Sequence, residues 1–270
     1  MFTFLLKLAT VFLLALVAVP SLAVESEHLG TEELVRDGLG ALSSGNKSGA
    51  QRLFERACSM KDGEGCRHLA IGYLVGDGGV SRDFAVSMRF FSRACIYGDA
   101  EACAFLGSSY LNGYGSVRNA RLGEEYNRRA ELLFQEDRIR FARECLTGEL
   151  KKCDDLGMLY ERGKGGNADR SMAARFYGKA CDAGYGHGCF SLSQLLESGE
   201  KTGKSQEQAA VLMGRGCELG DLSSCVLLAI DFKMAQQYEK ASLYYGKACA
   251  LDHLPACREQ KRLEERRMSP

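Results

Sequence analysis

Neither sign of charge is in excess, since Lys+Arg and Asp+Glu are 35 each. That excludes the basic balance of a nucleic-acid binder, and it leaves no large net field to steer a highly charged partner. Histidine is scarce. His28, His68, His187 and His253 stand at no consistent offset from any cysteine, so neither a zinc knuckle nor the clustered His and carboxylates of a zinc hydrolase is present. No C-x-x-C occurs, which removes the usual dithiol redox motif. No cofactor or metal is expected. Only three prolines occur, so little interrupts helices. After the first two dozen residues, no apolar run approaches the roughly 20 residues a membrane helix needs. The mature chain is therefore expected to have no membrane span.

The N-terminus does have such a run. "MFTFLLKLATVFLLALVAVPSLA" places Lys7 within an apolar stretch that ends at Pro20, with small residues Ser21 and Ala23 at the positions before a cleavage site. This is the layout of a secretory signal peptide, not of an Arg-rich mitochondrial presequence. Residues 1–23 are expected to be removed and the protein exported, to the periplasm or the medium.

Cysteine is abundant. The twelve fall as Cys58/Cys66, Cys95/Cys103, Cys145/Cys153, Cys181/Cys189, Cys217/Cys225 and Cys249/Cys257, and every pair is C-x7-C. First members of successive pairs lie 37, 50, 36, 36 and 32 residues apart. A repeat near 36 residues therefore dominates the chain.

Other columns keep the same ruler. Three residues after the second cysteine stand Leu69, Leu106, Leu156, Leu192 and Leu228. Small residues follow at Ala70, Gly107, Gly157, Ser193 and Ala229, and Tyr73, Tyr110, Tyr160, Leu196 and Phe232 stand three further on. This is helical spacing on one face, with Gly76, Gly113, Gly163 and Gly199 marking its stop. A second helix ends at the first cysteine of the next pair, with a large apolar residue four before it and Gly98, Gly148, Gly184 or Gly220 three after it. Helix pairs are expected at about 30–43/47–60, 64–76/82–97, 101–113/119–135, 151–163/168–183, 187–199/204–219 and 223–234/237–251, with a last charged helix at 255–267. Each C-x7-C straddles the turn from a second helix to the next first helix. There the two Cα atoms can approach to disulfide distance, and in an exported chain each pair reads as a staple. The fold expected is all-α, an α/α superhelical solenoid stapled by disulfides.

"CAFLGSSYLNGYGSV" (103–117), "CDDLGMLYERGKGG" (153–166) and "AARFYGKACDAGYGHGC" (173–189) resemble Sel1-like repeats, relatives of the tetratricopeptide repeat. Cysteines at this register in nearly every repeat are similar to the secreted Helicobacter cysteine-rich proteins. The resemblance implies a tetratricopeptide-like hairpin cap at 24–60, a solenoid at 61–254 and a capping helix at 255–270. It implies a protein-interaction scaffold. It also brings a β-lactamase or penicillin-binding activity, which some cysteine-rich members carry, as the alternative. Unit 103–145 departs from the pattern by about 14 extra residues. These lie in one long helix or in two helices broken at "QEDR" (135–138).

Little in the chain supports catalysis. A serine β-lactamase needs S-x-x-K and a separate K-T-G. Ser44-Gly45-Asn46-Lys47 and "SGEKTG" supply Ser198-x-x-Lys201 and Lys201-Thr202-Gly203. The last two share one lysine and fall between helices, so no catalytic residue is assigned. The adjacent acids Asp154/Asp155 and Glu124/Glu125 read as solvated surface, and His187 as a solvent-facing turn residue. The function expected is binding of a protein or peptide by a monomer, through the face of the first helices. Positions two and eight after the second cysteine vary between repeats, and His68, Asp155, Glu161 and Glu197 are the candidate contacts.

Overall fold

The computed structural model describes residues 19–76, 80–199 and 203–268, with side chains over 30–76, 80–199 and 206–266. Most of the expected signal peptide lies outside the described residues. Among the described residues there are thirteen α-helices and no strand. They are α1 (Val19–Ser43), α2 (Lys47–Ser59), α3 (Gly63–Val75), α4 (Phe84–Ile96), α5 (Ala100–Asn112), α6 (Ala120–Leu146), α7 (Leu150–Arg162), α8 (Arg170–Asp182), α9 (Gly186–Glu197), α10 (Gly203–Glu218), α11 (Leu222–Met234), α12 (Tyr238–Cys249) and α13 (Leu254–Met268). Two compact units divide the chain, Met1–Leu133 and Phe134–Pro270, with the boundary inside α6. Within each unit, consecutive helices pack side by side as an α/α solenoid. No described helix is long and apolar enough to cross a membrane.

The expected columns form the core. Leu69, Leu106, Leu156 and Leu228 are buried, and Leu192 is half-buried. The small column sets the spacing within a pair. A β-carbon on Gly157 would lie 2.6 Å from the Tyr177 ring and 3.2 Å from the Ala173 carbonyl. The facing helix is also small at this crossing. Ala50, Ser87, Ala173, Ala209 and Ala241 are all fully buried eight residues before the first cysteine. Ser87 donates to the Ala70 carbonyl at 2.8 Å, so the backbones are close enough for a side chain on one helix to cap the other.

Helix starts are made by a column the cysteine ruler did not include. Four residues before the second cysteine, Asp62, Asp99 and Asp221 accept from the N–H three residues on. That satisfies a backbone donor that the helix leaves open. Asn46, Asp83, Asn119 and Asp169 do the same for second helices. Helix ends follow the glycines, with Gly76, Gly113 and Gly163 left-handed as expected. Gly199 is not: Ser198 ends α9 in right-handed geometry. Where the repeat lacks its glycine, Lys61 (φ 65°), Gln236 (φ 60°) and Asp252 (φ 61°) take the same left-handed backbone.

All six C-x7-C pairs are joined: Cys58–Cys66, Cys95–Cys103, Cys145–Cys153, Cys181–Cys189, Cys217–Cys225 and Cys249–Cys257, with Cα–Cα separations from 4.5 to 4.8 Å. Each links the last turn of one helix to the first turn of the next. The second cysteines lie deeper than a surface clip would. Cys103 in α5 and Cys225 in α11 are both 0% exposed. Cys103 Sγ is 3.7 Å from the Cys95 carbonyl, and Cys225 Sγ is 3.5 Å from the Cys217 carbonyl. A disulfide sulfur carries no hydrogen to donate, so these are packing contacts against the end of the preceding helix. Cys66 and Cys153 sit the same way on Cys58 and Cys145. The cysteines of the first five pairs are thus core residues, those of the last pair, Cys249 and Cys257, being half-buried, and Cys103 and Cys225 offer no atom to a ligand or partner.

The longer unit resolves to one helix, since α6 runs unbroken through "QEDR". The about 14 extra residues make roughly 3.9 turns. Phe141 and Cys145 therefore return nearly to the face on which the helix began, and the staple keeps its place. The last part of α6 is held to its neighbours by Arg138, which donates to the Leu159 and Asn167 carbonyls and lies 4.3 Å over the Tyr160 ring. The helix expected from about residue 30 is already formed at Val19, the first described residue.

Candidate functional site

The first helix of each pair carries the candidate contacts. Their positions two after the second cysteine are less free than the sequence suggests. His68 stacks on Phe54 with ring centroids 4.8 Å apart, and Phe105 stacks on Phe91 at 4.0 Å. This position packs back onto the preceding second helix. His68 therefore presents only its edge, where Nε2 lies 3.6 Å from Glu64. Asp155 is within 3.6 Å of Lys152, whose ammonium sits over the Phe141 ring. Glu161 accepts from the Tyr177 hydroxyl at 2.7 Å. Burial, with Glu161 beside it, pushes that phenol well above its ordinary value. Glu197 is exposed and accepts from Gln194 at 3.1 Å. His68 belongs to the first unit and the other three to the second.

Positions five and eight after the second cysteine share one face of each first helix, because they are three residues apart. In the first unit they hold Ile71 with Leu74 and Ser108 with Leu111. In the second they hold Met158 with Glu161, Gln194 with Glu197 and Ile230 with Lys233. All are half-buried or exposed. At the eighth position this frame thus carries leucines in the first unit, and glutamates and then a lysine in the second.

An aromatic ladder escaped the sequence reading. Tyr73 stacks on Phe90, Tyr110 on Tyr126, Tyr160 on Phe176 and Phe232 on Tyr244, at centroid distances from 5.4 to 5.7 Å. Cations lie over several of these rings: Arg93 over Phe90, Lys240 over Phe232 and Lys247 over Tyr244. The signal was present, since Phe90, Phe176 and Tyr244 stand five before the first cysteine. Each pair ties the far end of a first helix to its own second helix.

Two expectations are corrected in the second unit. His187 is not in a loop. It is the second residue of α9, half-buried, with Asp221 at 3.1 Å and Asp154 at 3.8 Å. Asp154 is not solvated surface, being only 7% exposed. Nothing local in "CDD" or "GHG" reports this, because the contacts join residues more than 30 apart in sequence. Of the residues weighed for β-lactam chemistry, Ser198 accepts from Arg170 at 3.2 Å and donates to the Leu195 carbonyl, closing the end of α9. Ser44 donates to the Ala41 carbonyl in the turn after α1. Lys201 and Thr202 lie outside the described residues. Among the described residues no group of three His, Cys, Asp or Glu is placed to hold a metal ion.

Buried repeating columns, helix pairs packed in sequence order and a covalent link from each second helix to the next first helix define an α/α repeat protein. The Sel1 repeat model matches residues 28–62, 63–96, 100–131, 153–185 and 186–221, more than half of the chain. The chain belongs to the Sel1 repeat family. The match counts 28–62 among the repeats and stops before α11. Among solved structures, the chain is similar to the immunity protein Pa5087 from Pseudomonas aeruginosa, at 16% identity over 84% of each chain with a TM-score of 0.46. A Sel1 repeat protein from Oxalobacter formigenes is 17% identical over 86% of this chain and 97% of that one, with a TM-score of 0.40. The protective antigen c5321 of uropathogenic Escherichia coli strains is 22% identical over 82% of this chain, with a TM-score of 0.37. The present chain spans about half of that antigen's length, 53%. Comparison with curated proteins found no significant match. Sel1 arrays are commonly protein-interaction scaffolds, and six disulfides mark a chain that matures in an oxidising compartment outside the cytoplasm.

Proposed function

We propose that this protein is an exported, monomeric scaffold that binds a protein or peptide through the exposed face of its first helices, without turnover, in the periplasm or the medium. The observation that carries the reading is the contrast between columns. Leucine, small and aromatic positions repeat and are consumed by packing, while the positions five and eight after the second cysteine stay accessible and differ from repeat to repeat. Repeat arrays recognise partners with such graded surfaces. In the second unit, Asp155, Glu161 and Glu197 favour a basic segment of the partner. In the first, His68 borders an apolar strip that includes Ile71 and Leu74.

The hydrolase alternative draws no support from Ser198, whose hydroxyl is engaged at a helix end. The deciding experiment is capture of partners from the native envelope by oxidised protein, comparing wild type with a combined Asp155→Lys, Glu161→Lys and Glu197→Lys variant. Specific capture that the variant loses at an unchanged melting temperature supports the scaffold. Unchanged capture together with turnover of a chromogenic cephalosporin at enzymatic rates refutes it.

A further inference from the structure

In the second unit, three successive first helices meet at one side chain. His187, on α9, turns Nδ1 to Asp221 Oδ2 at 3.1 Å and Nε2 toward Asp154 Oδ2 at 3.8 Å. Asp154 belongs to α7, and Asp221 is the N-cap of α11. A neutral imidazole carries one N–H and one lone pair, so it satisfies one carboxylate and repels the other. Only the imidazolium, with two N–H groups, suits both.

The first unit contains the same link built from a permanent charge. Arg67 on α3 donates to Asp99, the N-cap of α5, at 2.8 Å, and it also reaches Glu64 at 3.3 Å. Asp99 and Asp221 occupy the same repeat position. Two cross-repeat bridges thus end on equivalent caps, one from an arginine that keeps its proton at any working pH and one from a histidine that does not.

The charged groups that act most strongly on His187 are acidic. Asp154 and Asp155 approach from α7, with Asp155 shared with Lys152, and Asp221 approaches from α11. Tyr185, the residue just before α9, meets the imidazole edge-on, and Phe190 within α9 lies tilted against it. The phenol of Tyr185 is pushed up to about 12, by burial first and by the three aspartates after it. The hydrogen bond to Asp221, with Asp154 and Asp155 behind it, holds the imidazolium above its ordinary range despite burial. Burial acts to raise Asp221, but the hydrogen bonds from His187 and from the Ser224 hydroxyl and N–H outweigh it and hold the carboxyl low. Asp154 is raised, by burial, against the pull of Ser191 and His187.

We propose that His187 is a proton-operated clamp that holds α7, α9 and α11 in register while protonated and releases Asp154 when it loses its proton. The signs follow. A raised histidine contributes stability that is complete below the ordinary value of about 6.5 and is lost as pH rises through its folded value. The depressed Asp221 contributes stability that is present above its ordinary value and is lost as pH falls through its folded one. Raised Asp154 favours the folded unit when protonated, and this too fades as pH rises. The clamp is therefore firm between the Asp221 and His187 titrations and loosens on the alkaline side, whatever the array binds.

The test uses the oxidised full chain. By NMR, the His187 ring should titrate above the ordinary histidine midpoint. The midpoint should fall in Asp221→Asn, which retains a capping oxygen, and in Asp154→Asn. Raising the pH from 6 to 9 should lower the melting temperature of wild type by about 2–4 °C more than that of His187→Arg, which imitates the Arg67 bridge. His187→Gln should melt low at both pH values. An ordinary His187 midpoint that Asp221→Asn leaves unchanged overturns the clamp. So does a pH dependence that is the same in wild type and His187→Arg. If the arginine variant fails to fold, the midpoints in wild type and Asp221→Asn decide.

Discussion

Lys61, Gln236 and Asp252 are the residues at which this repeat departs from its own rule. Each stands at a helix end with φ near 60°, where a β-carbon crowds the backbone by roughly 1–2 kcal/mol. Glycine removes that crowding but loses more freedom on folding, about 0.5–1 kcal/mol. Lys61→Gly, Gln236→Gly and Asp252→Gly should each stabilise the protein by up to about 1 kcal/mol, read as a higher denaturation midpoint. Gly157 is the reverse case. Its missing β-carbon leaves room for the Tyr177 ring and the Ala173 carbonyl, so Gly157→Ala should cost about 1–3 kcal/mol from overpacking. Leu156 is 1% exposed. Leu156→Asp should cost several kcal/mol, whereas Ser198→Ala, at an exposed helix end, should scarcely change the melting temperature. The leucine and small columns were readable because each recurs at one offset from a cysteine. His187 and Asp154 recur nowhere, so no column exposed them.

The helix pair needs help from its neighbours, since a 13-residue helix is marginal in water on its own. The helices obtain that help in three ways: a side-chain cap at the start of most of them, though not of α7, α9 or α12, small-against-small crossings within pairs, and a staple from each second helix to the next first helix. Closing a loop of about eight residues gives roughly 2.5 kcal/mol in the chain-entropy model. Cys181→Ala with Cys189→Ala should therefore lower stability by about that amount or more, since the buried sulfurs are lost with the link, and should speed amide exchange first in the neighbouring turns of α8 and α9. Equal exchange in wild type and variant would show that packing alone holds that turn. The length of α6 was left open by its sequence between one helix and two. "QEDR" contains no breaker, and an extra segment close to four whole turns lets one helix serve, because Cys145 still faces Cys153.

Each unit is, among its described residues, an array whose helices pack within a repeat or against the next repeat. It therefore lacks the long-range contacts of a globular core. Six staples, five of them buried, substitute for some of them. Reduction should lower the melting temperature and weaken partner capture together, because adjacent repeats lose their covalent register. A reduced protein that captures partners as well as the oxidised one would show that the staples serve stability alone. Circular dichroism of the oxidised protein should be helical throughout.

From sequence alone came the repeat period, the two helices of each pair, the leucine and small columns and the partner of every cysteine. All of these are local. The cysteines of a pair are eight residues apart, and the columns lie within single helices or across one tight turn. Tertiary structure alone decided how deeply the staples lie, with Cys103 and Cys225 wholly inside the array, and which polar side chains meet between repeats. Arg67 finds Asp99, and His187 finds Asp154 and Asp221, at separations of 32 to 34 residues. Such meetings depend on how far one first helix is rotated and displaced against the next. That rotation is set by the summed packing of every column, so it leaves no mark in any short stretch of the chain.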